Sequence, residues 1–145
     1  MWIVRVVCFA AVTATASAAQ SASVKEIFDK YKLFGTFAWN CGKPASKDNL
    51  YYVNRSLDAL SVQRDQMSGP TTRDAVTILD RASEIRASEI TVGGTRDGQP
   101  TEGLWLLEPN RQLGTEVSIG GKKVISDGKL LSTGREIPWL NKCSG

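Results

Sequence analysis

Histidine is absent from all 145 residues. That removes the usual general base near neutral pH, every serine or cysteine triad built on imidazole, and the commonest zinc and copper ligand. Cysteine is scarce as well: of the three present, Cys8 lies in an N-terminal apolar run, which leaves Cys41 and Cys143 near the two ends of the remaining chain. No two cysteines stand in the close spacing of a redox motif. Basic residues never run longer than Lys122-Lys123, so no stripe for phosphates is visible and nucleic acid is not expected as a partner. A calcium loop needs acids at alternate positions before a glycine, and Asp97-Gly98 and Asp127-Gly128 each offer one. Gly114 to Lys122 has Ile119 where a phosphate loop needs its second glycine. One route to acid–base chemistry is left, a convergence of Glu84, Glu89, Glu102, Glu108 and Glu116 across a sheet. Because no nucleophile, base and orienter can be named together, the expectation is a protein that is not an enzyme and has no cofactor and no metal.

The N-terminus reads as an export signal. Arg5 is followed by an apolar run from Val6 to Val12, and Ala16, Ser17 and Ala18 meet the small-residue rule for cleavage, which places a signal peptide at 1–19. The run is too short for a bilayer core of roughly 30 Å, which takes about 20 apolar residues, so no stable membrane span is expected after cleavage. Losing Arg5 takes Lys plus Arg from 18 to 17 against 15 Asp plus Glu, a net charge of +2 in place of +3. The rest, 20–145, is the size of a single domain with a modest core. A periplasmic or extracellular location lets disulfides persist, so Cys41 and Cys143 are expected to bond. Closing a loop of about 100 residues is worth about 4 to 5 kcal/mol in the chain-entropy model. The bridge is expected to fasten the C-terminal tail over the first strand, with Trp39 and Trp139 at the same end of the sheet.

Ser23-Val24-Lys25-Glu26 is a capping box, and Val24, Ile27, Phe28 and Tyr31 fall on one face of a 3.6-residue repeat. A short helix is predicted there, lying across the end or flank of the rest of the domain. Beyond Phe34 the pattern turns to short β-branched and aromatic segments: Leu50 to Arg55, Leu57 to Gln66, Ala75 to Arg81, Ile85 to Val92, Gly103 to Glu108, Leu113 to Ile119, Lys122 to Ser126 and Lys129 to Ser132. Gly93-Gly94, Asp97-Gly98, Pro109-Asn110, Gly120-Gly121 and Asp127-Gly128 between them read as hairpin turns. The fold class is mainly β, an antiparallel meander forming a barrel or half-barrel with a short N-terminal helix. A helix over Thr72 to Ile85 is the rival for that stretch, since Ala75, Ile78, Leu79, Ala82 and Ile85 share one helical face. The tandem Arg81-Ala82-Ser83-Glu84-Ile85 and Arg86-Ala87-Ser88-Glu89-Ile90 calls for a bulge or turn within Arg86 to Glu89 to bring both isoleucines to one core.

Phe37, Trp39, Tyr51, Tyr52, Trp105 and Trp139 are candidates to line a pocket with apolar walls and polar tips, in competition with simple core packing. The helix followed by Phe34-Gly35-Thr36-Phe37-Ala38-Trp39 resembles the start of a lipocalin-type chain, with Phe37 where that family's motif has tryptophan. The resemblance implies an eight-stranded barrel plugged at one end. At the other terminus Pro138-Trp139-Leu140-Asn141-Lys142-Cys143 resembles the ending of secreted bacterial proteins that have no assigned function. The expectation is an exported non-catalytic binding protein for a small apolar ligand or an envelope partner, with Trp39, Tyr52 and Trp105 as the ligand-binding residues. The alternative is a protein–protein module such as a protease inhibitor, with a filled interior and its site on loops.

Overall fold

Ser23 opens the first element as predicted: its hydroxyl accepts from the Glu26 amide while the Glu26 carboxylate accepts from the Ser23 amide, and the helix α1 runs Val24–Lys30. In the computed structural model, which describes residues 22–145, ten strands follow. The predicted signal peptide lies outside the described residues. The strands are β1 (Gly35–Ala38), β2 (Tyr51–Ser56), β3 (Val62–Met67), β4 (Arg73–Arg86), β5 (Glu89–Arg96), β6 (Gln99–Glu108), β7 (Arg111–Ile119), β8 (Lys122–Ser126), β9 (Lys129–Leu130) and β10 (Leu140–Ser144). Each of β1 to β9 pairs antiparallel with its sequence neighbour, and β10 pairs with both β1 and β7. The result is a closed eight-strand barrel of β1 to β7 and β10, with β8 and β9 as a hairpin extension of β7.

Most of the turns have the predicted chemistry. Asp97-Gly98, Gly120-Gly121 and Asp127-Gly128 have positive φ at both residues, and Asn110 follows Pro109 at φ 61°, the geometry that matches the twist of tight hairpins. Gly93-Gly94 is different: both lie inside β5. A Cβ on Gly94 would stand 1.9 Å from the Ile78 carbonyl oxygen, so glycine is needed there for the approach of β4, not for a turn.

Ala75 to Arg81 lies in a strand as read, and the rival helix over Thr72 to Ile85 does not form, because pairing on both sides places Ala75, Thr77 and Leu79 into the interior, and these ladders outweigh the helical spacing. Other expectations are corrected. The tandem repeat does contain its turn, with Ser88 at φ 65°, but Ile90 is buried while Ile85 is 56% exposed. Residues 57–61 form a loop, with β3 starting at Val62, and β9 ends at Leu130. The C-terminal tail, expected over the first strand, is itself the closing strand.

The core gathers at one end of the barrel, where Val24, Ile27 and Phe28 of α1 pack with Leu33, Phe37, Val62, Leu79, Ile90, Val92, Trp105 and Leu107. The helix is a plug. Lys30 reaches Glu84 of β4 at 2.7 Å, and the Tyr31 hydroxyl donates to the same carboxylate. The Cys41–Cys143 bridge joins the segment after β1 to β10 across a Cα–Cα distance of 5.3 Å, and such a bond is compatible with an oxidising extracellular or periplasmic compartment.

Two outcomes are expected. With its cysteines 102 positions apart, the bridge should be worth about 2–4 kcal/mol, below the chain-entropy figure as disulfides commonly are, read as the loss of unfolding free energy in urea after reduction. Lys30 and Tyr31 hold the Glu84 carboxyl below its ordinary value of 4.5, so the latch contributes stability above that pH and loses it as the pH falls through the lowered value. Near-UV circular dichroism of Glu84→Gln should show a smaller acid-induced change between pH 5 and 3 (about the carboxylate range) than the parent chain.

Candidate functional site

Above the plug the barrel is hollow. A cavity of about 900 Å³ is bounded by strands β2 to β7, the β8–β9 hairpin and the returning segment 135–140. Its walls are largely apolar, with Leu50, Leu79, Val117, Ile119, Ile125, Leu130 and Ile137 among them. The three residues expected to bind ligand, Trp39, Tyr52 and Trp105, all line it, and Trp139 does too. The other two aromatic candidates are used elsewhere: Phe37 is buried in the plug core, and the Tyr51 hydroxyl donates to the Lys43 carbonyl at 2.6 Å.

Trp105 is the floor. Its ring lies 6.0 Å from Phe28 of the plug, and the Arg64 guanidinium is 4.7 Å above it. Room for the indole comes from glycine, since a Cβ on Gly103 would stand 3.0 Å from its Nε1. Trp39 and Trp139 sit at the mouth. Asn141 donates to the Trp39 carbonyl at 3.0 Å, so the same β10 that carries the bridge also positions this loop. Buried Asn49 ties the loop together by donating to the carbonyls of Asn40, Lys43 and Pro44, and Arg111 lies 4.6 Å over the Trp139 ring. The two tryptophans are therefore at the same end, as the bridge implied.

Sequence reasoning missed the polar groups inside. Arg64 is sandwiched between Tyr52, 4.3 Å away, and Trp105, and it donates to the Asn54 side chain at 2.9 Å. It borders the cavity. Burial pulls this guanidinium from 12.5 down to about 10, with Arg96 adding to the effect, and it remains a cation at neutral pH. The shift corresponds to about 3 kcal/mol disfavouring the charge. Among the described residues no carboxylate pairs with Arg64 or with Arg96, which donates to Gln66 at 2.6 Å. The next residue on β3 is the opposite case: Asp65, almost fully buried on the outer face, is paired with both Arg55 and Arg73. Gln112 also lines the cavity, 2% exposed, with both side-chain polar atoms unpartnered.

The five glutamates do not converge. Glu84 pairs with Lys30, Glu89 with Arg86, Glu108 with Arg111 and Glu116 with Lys123, while Glu102 is on an exposed face. Among the described residues no cluster of three or more acidic or cysteine side chains could hold a metal. No family model, curated protein or solved structure matches the chain.

Two of the buried amides differ in a measurable way. Both polar atoms of the Asn54 side chain have partners, the nitrogen donating to the Leu33 carbonyl at 2.7 Å and the oxygen accepting from Arg64, whereas both polar atoms of Gln112 lack one. Gln112→Leu should stabilise the empty barrel by about 1 kcal/mol, and Asn54→Leu should cost about 2 kcal/mol or more. Urea unfolding of the two variants should show opposite signs.

Proposed function

We propose that the chain is an exported, non-catalytic binding protein that holds a small, largely apolar ligand inside a lipocalin-like barrel. The observation that carries this is the cavity of about 900 Å³ behind Trp39, Tyr52, Trp105 and Trp139. Ligand sites commonly span about 300–1,000 Å³ and combine apolar walls with a few placed polar groups. An eight-stranded barrel is near the size at which side chains either fill the interior or leave space for one small molecule. Here the plug fills one end and the other remains hollow. A protease-inhibitor module needs no such space, so the hollow interior favours the ligand reading.

Export and the lipocalin likeness belong to the same proposal. The bridge suits an oxidising compartment, and the closed meander with a helix at one end has the architecture by which lipocalins manage their strand edges. Native mass spectrometry of protein purified from its own compartment should show a small-molecule adduct that is lost on denaturation, with lower occupancy in Trp105→Leu. An interior that is empty, and a tryptophan emission that no apolar probe shifts, would overturn the reading.

A further inference from the structure

We propose that the ligand is a single-chain amphiphile with a carboxylate head, bound head-inward so that the carboxylate meets the Arg64 guanidinium. This rests on the barrel being a ligand carrier, and it names the chemical class that such a carrier takes.

Arg64 is a cation placed where it should be costly: inside a barrel, against two aromatic rings, with no acidic partner among the described residues. Stacking covers its faces and leaves its edge. A guanidinium has five N–H donors, and the hydrogen bond it makes among the described residues, to Asn54, uses one nitrogen. The remaining edge suits the two oxygens of a carboxylate, which arginine binds in a planar, two-pronged arrangement. Arg96 adds a second positive charge nearby and likewise has no acidic partner among the described residues. Asp48 and Glu136 border the cavity with Lys47 and Arg135, as does Glu102 from its exposed position, but none of these acids pairs with either interior arginine.

The rest of the cavity fits a tail. Besides Arg64 the lining includes Val117, Ile119, Ile125, Leu130 and Ile137, together with Trp39 and Trp139. Gln112 is a second sign that the interior expects polar atoms from outside, because its buried amide has both atoms unpartnered and borders the same space. A purely apolar ligand would leave both Arg64 and Gln112 unsatisfied and desolvated. A cationic amphiphile would meet two like charges.

Calorimetric titration of the whole mature protein near pH 8 with decanoate, decanol and decyltrimethylammonium separates these cases (about pH 8 keeps the carboxylate charged). The parent protein should bind decanoate at least about tenfold more tightly than decanol, a difference of about 1.4 kcal/mol, and the ammonium most weakly. Arg64→Met should remove the preference, bringing the decanoate affinity to or below that of decanol in the same variant. If that variant does not fold, Arg64→Lys carries the test, since it keeps a charge but loses the planar fork, and the ratio of decanoate to decanol affinity should fall. Equal binding of decanoate and decanol by the parent, tighter binding of the ammonium, or a preference that survives in the variant overturns the headgroup assignment and leaves the carrier reading standing. Failure of all three probes to bind overturns both.

Discussion

Closure of the sheet by its last strand is the constraint on which the rest depends. β10 hydrogen-bonds to β1 on one side and β7 on the other, so neither of those strands presents a bare edge there. Without it the sheet would be an open meander ending in the β8–β9 hairpin, and an open sheet encloses nothing. The cost is entropic: the end of the chain must return to its beginning before either ladder can form, and such long-range pairing is slow and expensive. The Cys41–Cys143 bond acts where that cost is highest, tying β10 to the segment that follows β1. The same strand then positions the mouth, because Asn141 holds the backbone of Trp39.

Closure alone would leave a tube, and the two ends are treated differently. One is sealed by an amphipathic helix whose apolar face is spent on Phe37, Trp105 and their neighbours, with the Lys30–Glu84 pair and Tyr31 holding it against β4. The other is bordered by Trp39, Trp139 and the segment 135–140. Trp105 belongs to both parts, with Phe28 of the plug 6.0 Å from its ring and the Arg64 guanidinium 4.7 Å over it.

Adjacent residues on β3 show how differently the two faces of the barrel handle charge. Asp65 points outward, is covered, and is compensated by Arg55 and Arg73. Arg64 points inward and receives two aromatic faces and one amide. Cation–π contacts are worth about 0.5–2 kcal/mol each, too little to replace an anion as partner for a desolvated guanidinium. A fold selected for stability alone would place an apolar side chain at this position, since burying an unpaired charge is among the costliest single features a barrel can carry.

Much of the architecture was legible from the chain because it rests on local chemistry. The capping box and the apolar spacing from Val24 to Tyr31 specify the helix, and the Asp-Gly and Gly-Gly pairs specify hairpins through their positive φ angles. The misreadings have one cause, tertiary pairing that overrides local pattern. Gly93-Gly94 looked like a turn and is a place where strands approach closely; in Thr72 to Ile85 the same pairing sustains the strand reading against its rival helical face. For the site, the aromatic residues Trp39, Tyr52 and Trp105 were visible as large amphipathic side chains without a settled place in the core. Arg64, Arg96 and Gln112 were not, because a charged or amide residue on a strand reads as solvated. The available signal was in β3, where Gln63, Arg64, Asp65 and Gln66 leave no apolar alternation and so promise no ordinary apolar inner face. The sequence by itself determined the short-range matters: a capped helix, a train of short strands, tight turns, and two cysteines spaced to bracket them. Each depends on a few neighbouring residues and on backbone geometry that those residues alone permit. Tertiary structure decided that the sheet closes, which side of each strand faces inward, and hence that one arginine stands unpaired beside an apolar cavity. Those outcomes depend on register between strands far apart in the chain, and a shift of one residue would exchange the inner and outer faces of any strand.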